Sequence, residues 1–162
     1  MISLYYSIFQ SVMNFGIVFW GNAAEARRVF SLKKLIIRII YGMKYRESCR
    51  GIFKKKILAT YGLYIKECVL LNFWHKDLFT EFEKLFTTTR SIGYICPRHK
   101  LTLSQRNAVY MILRLFNHLP KHVKLITEEK RFRKAISDIF MDIQPHCIED
   151  YFNSCIWYEI VL

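Results

Sequence analysis

The chain has 162 residues, 52% of them hydrophobic and 16% aromatic, and carries a formal net charge of +12. That much apolar surface can bury one sizeable core and argues against a disordered chain. Six glycines and three prolines are too few for a many-turned sandwich or barrel, so the expected fold class is all-α, a small helical bundle with a partly irregular segment around 76–103.

Residues 1–24 carry no charged side chain. Ser3, Ser7, Gln10, Ser11 and Asn14 recur at three- and four-residue spacing, which draws a polar stripe along a helix over residues 3–19. The stripe, with no basic leader and no small-residue cleavage site, argues against a signal peptide or membrane anchor. The expectation is an amphipathic helix whose remaining faces are buried. Gly21-Asn22 breaks it, and Asn22 with Glu25 three residues on predicts a capping-box start to the next helix.

Residues 27–56 hold eleven basic side chains against one acid, Glu47, a net +10 of the chain's +12. A helix is predicted over 23–43, with Val29, Leu32, Ile36, Ile39, Ile40 and Met43 at helical spacing toward the core. Arg27, Ser31, Lys34 and Arg38 fall together on its other side. A shorter helix over 46–56 would present Arg46, Arg50 and Lys54 at i, i+4 and i+8. Charge so concentrated points to a polyanionic partner, and phosphate backbones are the commonest. The candidate nucleic-acid contacts are Arg27, Lys34, Arg38, Lys44, Arg46, Arg50 and Lys54. Tyr41, Tyr45 and Phe53 are interleaved with them, either to stack on bases or to pack inward.

A helix over 59–75 follows, with Leu63, Val69, Leu70 and Phe73 inward and Gly62 as a weak point near its start. Residues 76–103 show no clean period. There Thr87-Thr88-Thr89-Arg90 and Gly93-Tyr94-Ile95-Cys96-Pro97 suggest a loop with an extended piece. From Ser104 a helix runs to a stop at Pro120, with Val109, Ile112, Leu113 and Phe116 on one face. Thr127 is placed to cap a last helix over 128–143, with Phe132, Ile136, Ile139, Phe140 and Ile143 apolar and Pro145 as its stop. The organisation expected is a basic-faced helical segment (1–75), a connector (76–103), a second helical segment (104–153) and a tail (154–162), in one unit. After Lys134 the only charges are Asp138, Asp142, Glu149, Asp150 and Glu159, which could pair with the basic front or keep the rear off a phosphate surface.

Chemistry is sparse. Asp138 and Asp142 share a helix face but have no partner for a two-metal site, and they read as solvated surface. Cys96-x2-His99 followed by His118-x3-His122 has a finger-like spacing, yet Pro120 interrupts the helix that would present both histidines. No phosphate-cradling glycine loop or nucleophile elbow is present. Catalytic residues, metal ligands and cofactors are therefore all expected to be none. The five cysteines, at 49, 68, 96, 147 and 155, form no CxxC pair and read as reduced thiols of an intracellular protein, cytoplasmic or nuclear.

Several blocks together resemble a known family. Leu4-Tyr5-Tyr6-Ser7-Ile8-Phe9, Phe15-Gly16-Ile17-Val18-Phe19-Trp20-Gly21-Asn22 and Lys33-Lys34-Leu35-Ile36-Ile37-Arg38-Ile39-Ile40 are similar to the thumb and following region of LINE-type, jockey-like non-LTR retrotransposon reverse transcriptases. The likeness continues through Lys44-Tyr45-Arg46-Glu47-Ser48-Cys49-Arg50-Gly51-Ile52-Phe53-Lys54-Lys55 and Leu63-Tyr64-Ile65-Lys66-Glu67-Cys68. It returns at Phe116-Asn117-His118-Leu119-Pro120, similar to an FNxLP segment, and at Phe132-Arg133-Lys134. The family's HxYxTR-like element is represented only by Thr89-Arg90, and residues 154–162 have no counterpart.

The resemblance implies a C-terminal fragment of an RNA-directed DNA polymerase without its catalytic palm, in which a thumb helps to hold the template–primer. The partner implied is RNA or an RNA/DNA duplex, with no small-molecule substrate and no enzymatic activity of the fragment alone. The alternatives are a host-adopted helical module that binds nucleic acid or protein, and a small membrane-associated protein anchored by residues 2–20.

Overall fold

The computed structural model describes residues 2–55, 57–82, 93–97, 101, 104 and 107–154, at 54–55 and 80–82 for the backbone alone. These residues form helices and connecting turns with no strand, so the fold is all-α. Helix α1 is α-helical over Ile2–Leu4, π-helical over Tyr5–Gln10 and α-helical again over Ser11–Asn14. Then come α2 (Ile17–Trp20), α3 (Ala26–Ile40), α4 (Arg50–Lys55) and α5 (Thr60–Trp74), the last leading into a 3-10 turn, Lys76–Phe82. The second half supplies α6 (Ala108–Asn117), α7 (Lys121–Lys124), α8 (Glu129–Ile143) and α9 (Ile148–Asn153).

Helix α5 is apolar around most of its circumference, and a helix of that kind is stable only when surrounded. It packs against α2, α3, α6 and α8. Its Leu63, Tyr64, Ile65, Cys68, Val69 and Leu70 join Ile112, Leu113, Leu115, Phe132, Ile136, Phe140 and Tyr151 in the larger core. Phe73 stacks on Phe132 with ring centroids 4.3 Å apart. Gly62 is buried and faces the ring of Pro145, so the residue flagged as a weak point is where the chain after α8 crosses α5. A smaller core gathers Tyr5, Ala26, Phe30, Ile37, Cys49, Phe53, Ile57, Ala59 and Tyr61, with Trp20 and Ile148 touching both.

The N-terminal expectations need correction. Residues 3–19 are not one helix: Phe15 turns extended and Gly16 adopts φ 62°, a left-handed conformation that glycine tolerates best, before α2 begins. Nor are the remaining faces of α1 buried. Only Tyr5 and Met13 are enclosed, while Leu4, Ile8, Val12 and Phe15 are more than half exposed. The predicted capping box at Asn22 does not form. Helix α3 starts at Ala26, and Glu25, itself helical, pairs with Arg28 at 3.1 Å instead of reaching back.

The core face of α3 is also rotated from the expected one. Ala26, Phe30, Lys33 and Ile37 are buried, at i, i+4, i+7 and i+11, whereas Leu32 and Ile39 are exposed at 55% and 64%. Phe30 sets this orientation by meeting Phe53 and Tyr61 at 5.8 and 5.9 Å. Ile36, Ile40 and Met43 pack partly against the same core. The helix ends before Gly42, at φ 62°.

Beyond it, Arg46 lies in a turn and α4 starts only at Arg50, so Arg46, Arg50 and Lys54 do not form one helical row. Helix α6 starts at Ala108, capped by the Asn107 side chain accepting from the Val109 N–H at 2.9 Å, and Val109 itself is 40% exposed rather than inward. Pro120 leads into α7. Thr127 does not cap α8, whose N-cap is Glu128. That helix closes at Gln144, φ 44°, one residue ahead of Pro145. In the connector, residues 93–97 are non-helical, with Tyr94 buried; Thr87, Thr88, Thr89 and Arg90 lie outside the described residues, as do 155–162 of the tail.

Candidate nucleic-acid interface

Three rows of side chains run along α3. With the core row at one side, Arg27, Ser31, Lys34 and Arg38 form a second row about 60° wide, and Leu32, Leu35 and Ile39 form a third on the side away from the core. The second and third rows line a groove of about 700 Å³, closed at one end by Tyr45. Arg27, Arg28, Lys34 and Arg38 give it four cations, and among the described residues no acidic side chain lines it. Among the described residues, Arg28 is the groove cation with an ion-pair partner, Glu25.

Local bonds hold the groove's edge. Arg38 donates from Nε to the Glu47 carbonyl at 3.0 Å, and the Lys44 N–H donates to the Glu47 carboxylate at 3.0 Å. Together they fasten the turn bearing Tyr45, which is 78% exposed, against α3. Lys34 holds its ammonium 4.5 Å from the Phe30 ring centroid, a cation–π contact that orients it without neutralising it.

Of the seven candidate contacts, Arg27, Lys34 and Arg38 come together in this groove, and Lys44 and Arg46 are exposed on either side of Tyr45. Arg50 stands apart, lining a different groove with Asp142, His146 and Asp150. The side chain of Lys54 lies outside the described residues. Of the interleaved aromatics, Phe53 is buried and Tyr41 packs partly against the core, which leaves Tyr45 as the exposed ring.

A second groove, of about 640 Å³, lies across the Arg27–Ser31–Lys34 ridge and is closed by His146, Ile148 and Glu149 from the far end of the chain. His146 completes a triangle with the rings of Phe30 and Phe53, at 5.8 and 6.1 Å. Burial holds its pKa below the ordinary histidine value, and the charges of Arg50 and Lys34 push the same way. Periodicity on either segment alone could not place it there.

Among the described residues, the acidic rear does not pair with the basic front: no cation of the block lies within ion-pair distance of Asp138, Asp142, Glu149 or Asp150. Asp150 instead accepts from the N–H groups of His146 and Cys147, at 2.9 and 3.2 Å, at the start of α9. Its contact with the Cys147 side chain is the leading reason its pKa lies below the usual carboxylate range. Asp138 and Asp142 are exposed on α8.

Lys33, counted in sequence among the block's cations, is buried and contributes nothing to the surface. Among the described residues no cluster of three or more His, Cys, Asp or Glu could hold a metal. His99 lies outside them, and His118 packs edge-on against Tyr151 and Phe152. No helix among the described residues is long and apolar enough to cross a membrane. Comparison with protein-family models, with curated proteins and with solved structures finds no match.

Proposed function

We propose that the chain is a nucleic-acid-binding helical segment, a C-terminal fragment of the reverse transcriptase of a non-LTR retrotransposon, working without the polymerising palm. The observation that carries the binding is the α3 groove: four cations, no acid among the described lining residues and a half-exposed lysine held in place by a ring. Such a surface meets a sugar-phosphate strand through counterion release. The retroelement origin rests on the motif series from Leu4 to Lys134.

Fluorescence anisotropy with an RNA/DNA duplex tests the binding. Affinity should fall steeply as salt rises, and Lys34→Glu should weaken it while leaving the helical circular dichroism intact. An affinity indifferent to salt and to that charge reversal would remove this surface. Primer extension by the purified chain should be blank, and robust nucleotide incorporation would overturn the palm-less assignment.

A further inference from the structure

We infer that the α3 groove takes an unpaired stretch of nucleic acid, with its phosphates on the cationic row and a base stacked on Tyr45. The inference rests on the reading that this face meets nucleic acid and adds which form of it the groove accepts. A duplex turns its bases inward and offers a basic surface only sugar and phosphate. For that purpose the apolar half of the groove would be wasted surface.

Here Leu32 and Leu35 line the same groove as Arg27, Lys34 and Arg38, at 55% and 39% exposure, and Ile39 continues their row at 64%. An apolar row beside a cationic row suits a strand whose bases are splayed to one side of its backbone. From Arg27 to Arg38 the helix rises ~16 Å, the reach of a few nucleotides rather than of a long duplex. Tyr45 stands at the groove's end with its ring in solvent, on a turn fastened by the Arg38 and Lys44 bonds to Glu47. Because the turn is ordered in advance, stacking costs only the freedom of the ring's own two torsions, and the ring accepts any base because every base has a π-face.

The experiment compares three probes of equal length on the full chain: a single-stranded oligouridine, the same backbone with abasic sugars, and an RNA/DNA duplex. The base-bearing strand should bind about tenfold tighter than the abasic one, Tyr45→Ala should abolish that difference and Tyr45→Phe should keep it. Equal binding of base-bearing and abasic strands, or a neutral Tyr45→Ala beside a damaging Arg38→Glu, would overturn the unpaired-strand assignment and leave phosphate binding standing. No binding of any probe at low salt would overturn both. Tyr45 is exposed and lies outside both cores, so its substitutions test recognition rather than folding.

Discussion

The Lys33 ammonium, fully enclosed between α3 and α1, lies 3.4 Å from the Gln10 side-chain oxygen, with no carboxylate partner among the described residues. The same oxygen accepts a hydrogen bond from the Tyr5 hydroxyl at 2.8 Å, so one neutral amide on the π-helical turn serves both groups. Burial pushes the lysine pKa down to about 7 from the ordinary 10.5. A charge in that position is a cost to the fold, and the sequence gives no sign of it.

That burial has a pH signature. Between about 7 and 10.5 the unfolded chain holds a proton on Lys33 that the folded chain has released. Stability gained from this residue therefore rises with pH across that window, by at most about 1.4 kcal/mol per unit, and below it the full penalty remains. Lys33→Met should be more stable than the parent in urea unfolding, with its lead shrinking from about pH 6 to about pH 9.5. A lead that stays constant with pH would show that Lys33 is solvated.

The rotated face of α3 separates two substitutions that look alike in sequence. Phe30→Ala should cost about 3–5 kcal/mol, because it opens a cavity among Phe53, Tyr61 and His146. Leu32→Ser and Ile39→Ser should each stay within about 0.5 kcal/mol of the parent, since their side chains already face water. Chemical denaturation of the three variants decides it, and a costly Leu32→Ser would restore the original core face.

Asn117 should be worth more than its half-buried position suggests. Its carboxamide grips the Tyr94 backbone from both sides, accepting from the N–H and donating to the carbonyl, each at 2.7 Å. Asn117→Leu removes both of these hydrogen bonds and should cost about 1–3 kcal/mol, with faster amide exchange at Tyr94. Unchanged protection of that amide would mean that the segment is held by the Tyr94 ring alone.

Two arginines from the same basic block should behave differently toward RNA. Arg38→Gln removes a cation from the α3 groove and should weaken binding while lowering the salt slope by about one contact's worth, ~0.7 to 0.9. Arg50→Gln should change affinity little, because Arg50 faces Asp142 and Asp150 across another groove. Equal losses from both variants would mean that the ligand spans the two surfaces.

The helices were legible where apolar residues persisted over several turns, all round α5 and along one face of α8, and the prolines at 120 and 145 marked real stops. What failed was the choice of face. A pattern that scores lysine as polar cannot see that Lys33 buries its long stem beside Phe30 and Ile37, so the apparent stripe shifted toward Leu32 and Ile39. Charge density singled out the basic block, but composition could not separate Arg38 from Arg50 or remove Lys33. That separation comes from the C-terminal segment docking against α3 and α4, a contact between parts of the chain about a hundred residues apart. The half-caps at Asn22 and Thr127 were local signals overruled by neighbouring turns.

The hydroxyl of Tyr151 reaches the Leu115 carbonyl at 3.1 Å in the protein's interior, and the Gln144 side chain accepts from the Ala59 N–H across 85 residues of chain. During synthesis, then, α5 leaves the ribosome long before the groups that enclose it exist. The nascent chain must carry an oily central rod covered only by α2 and α3 until its later helices emerge, which makes the arrival of α8 and α9, rather than the appearance of α3, the moment at which this core closes.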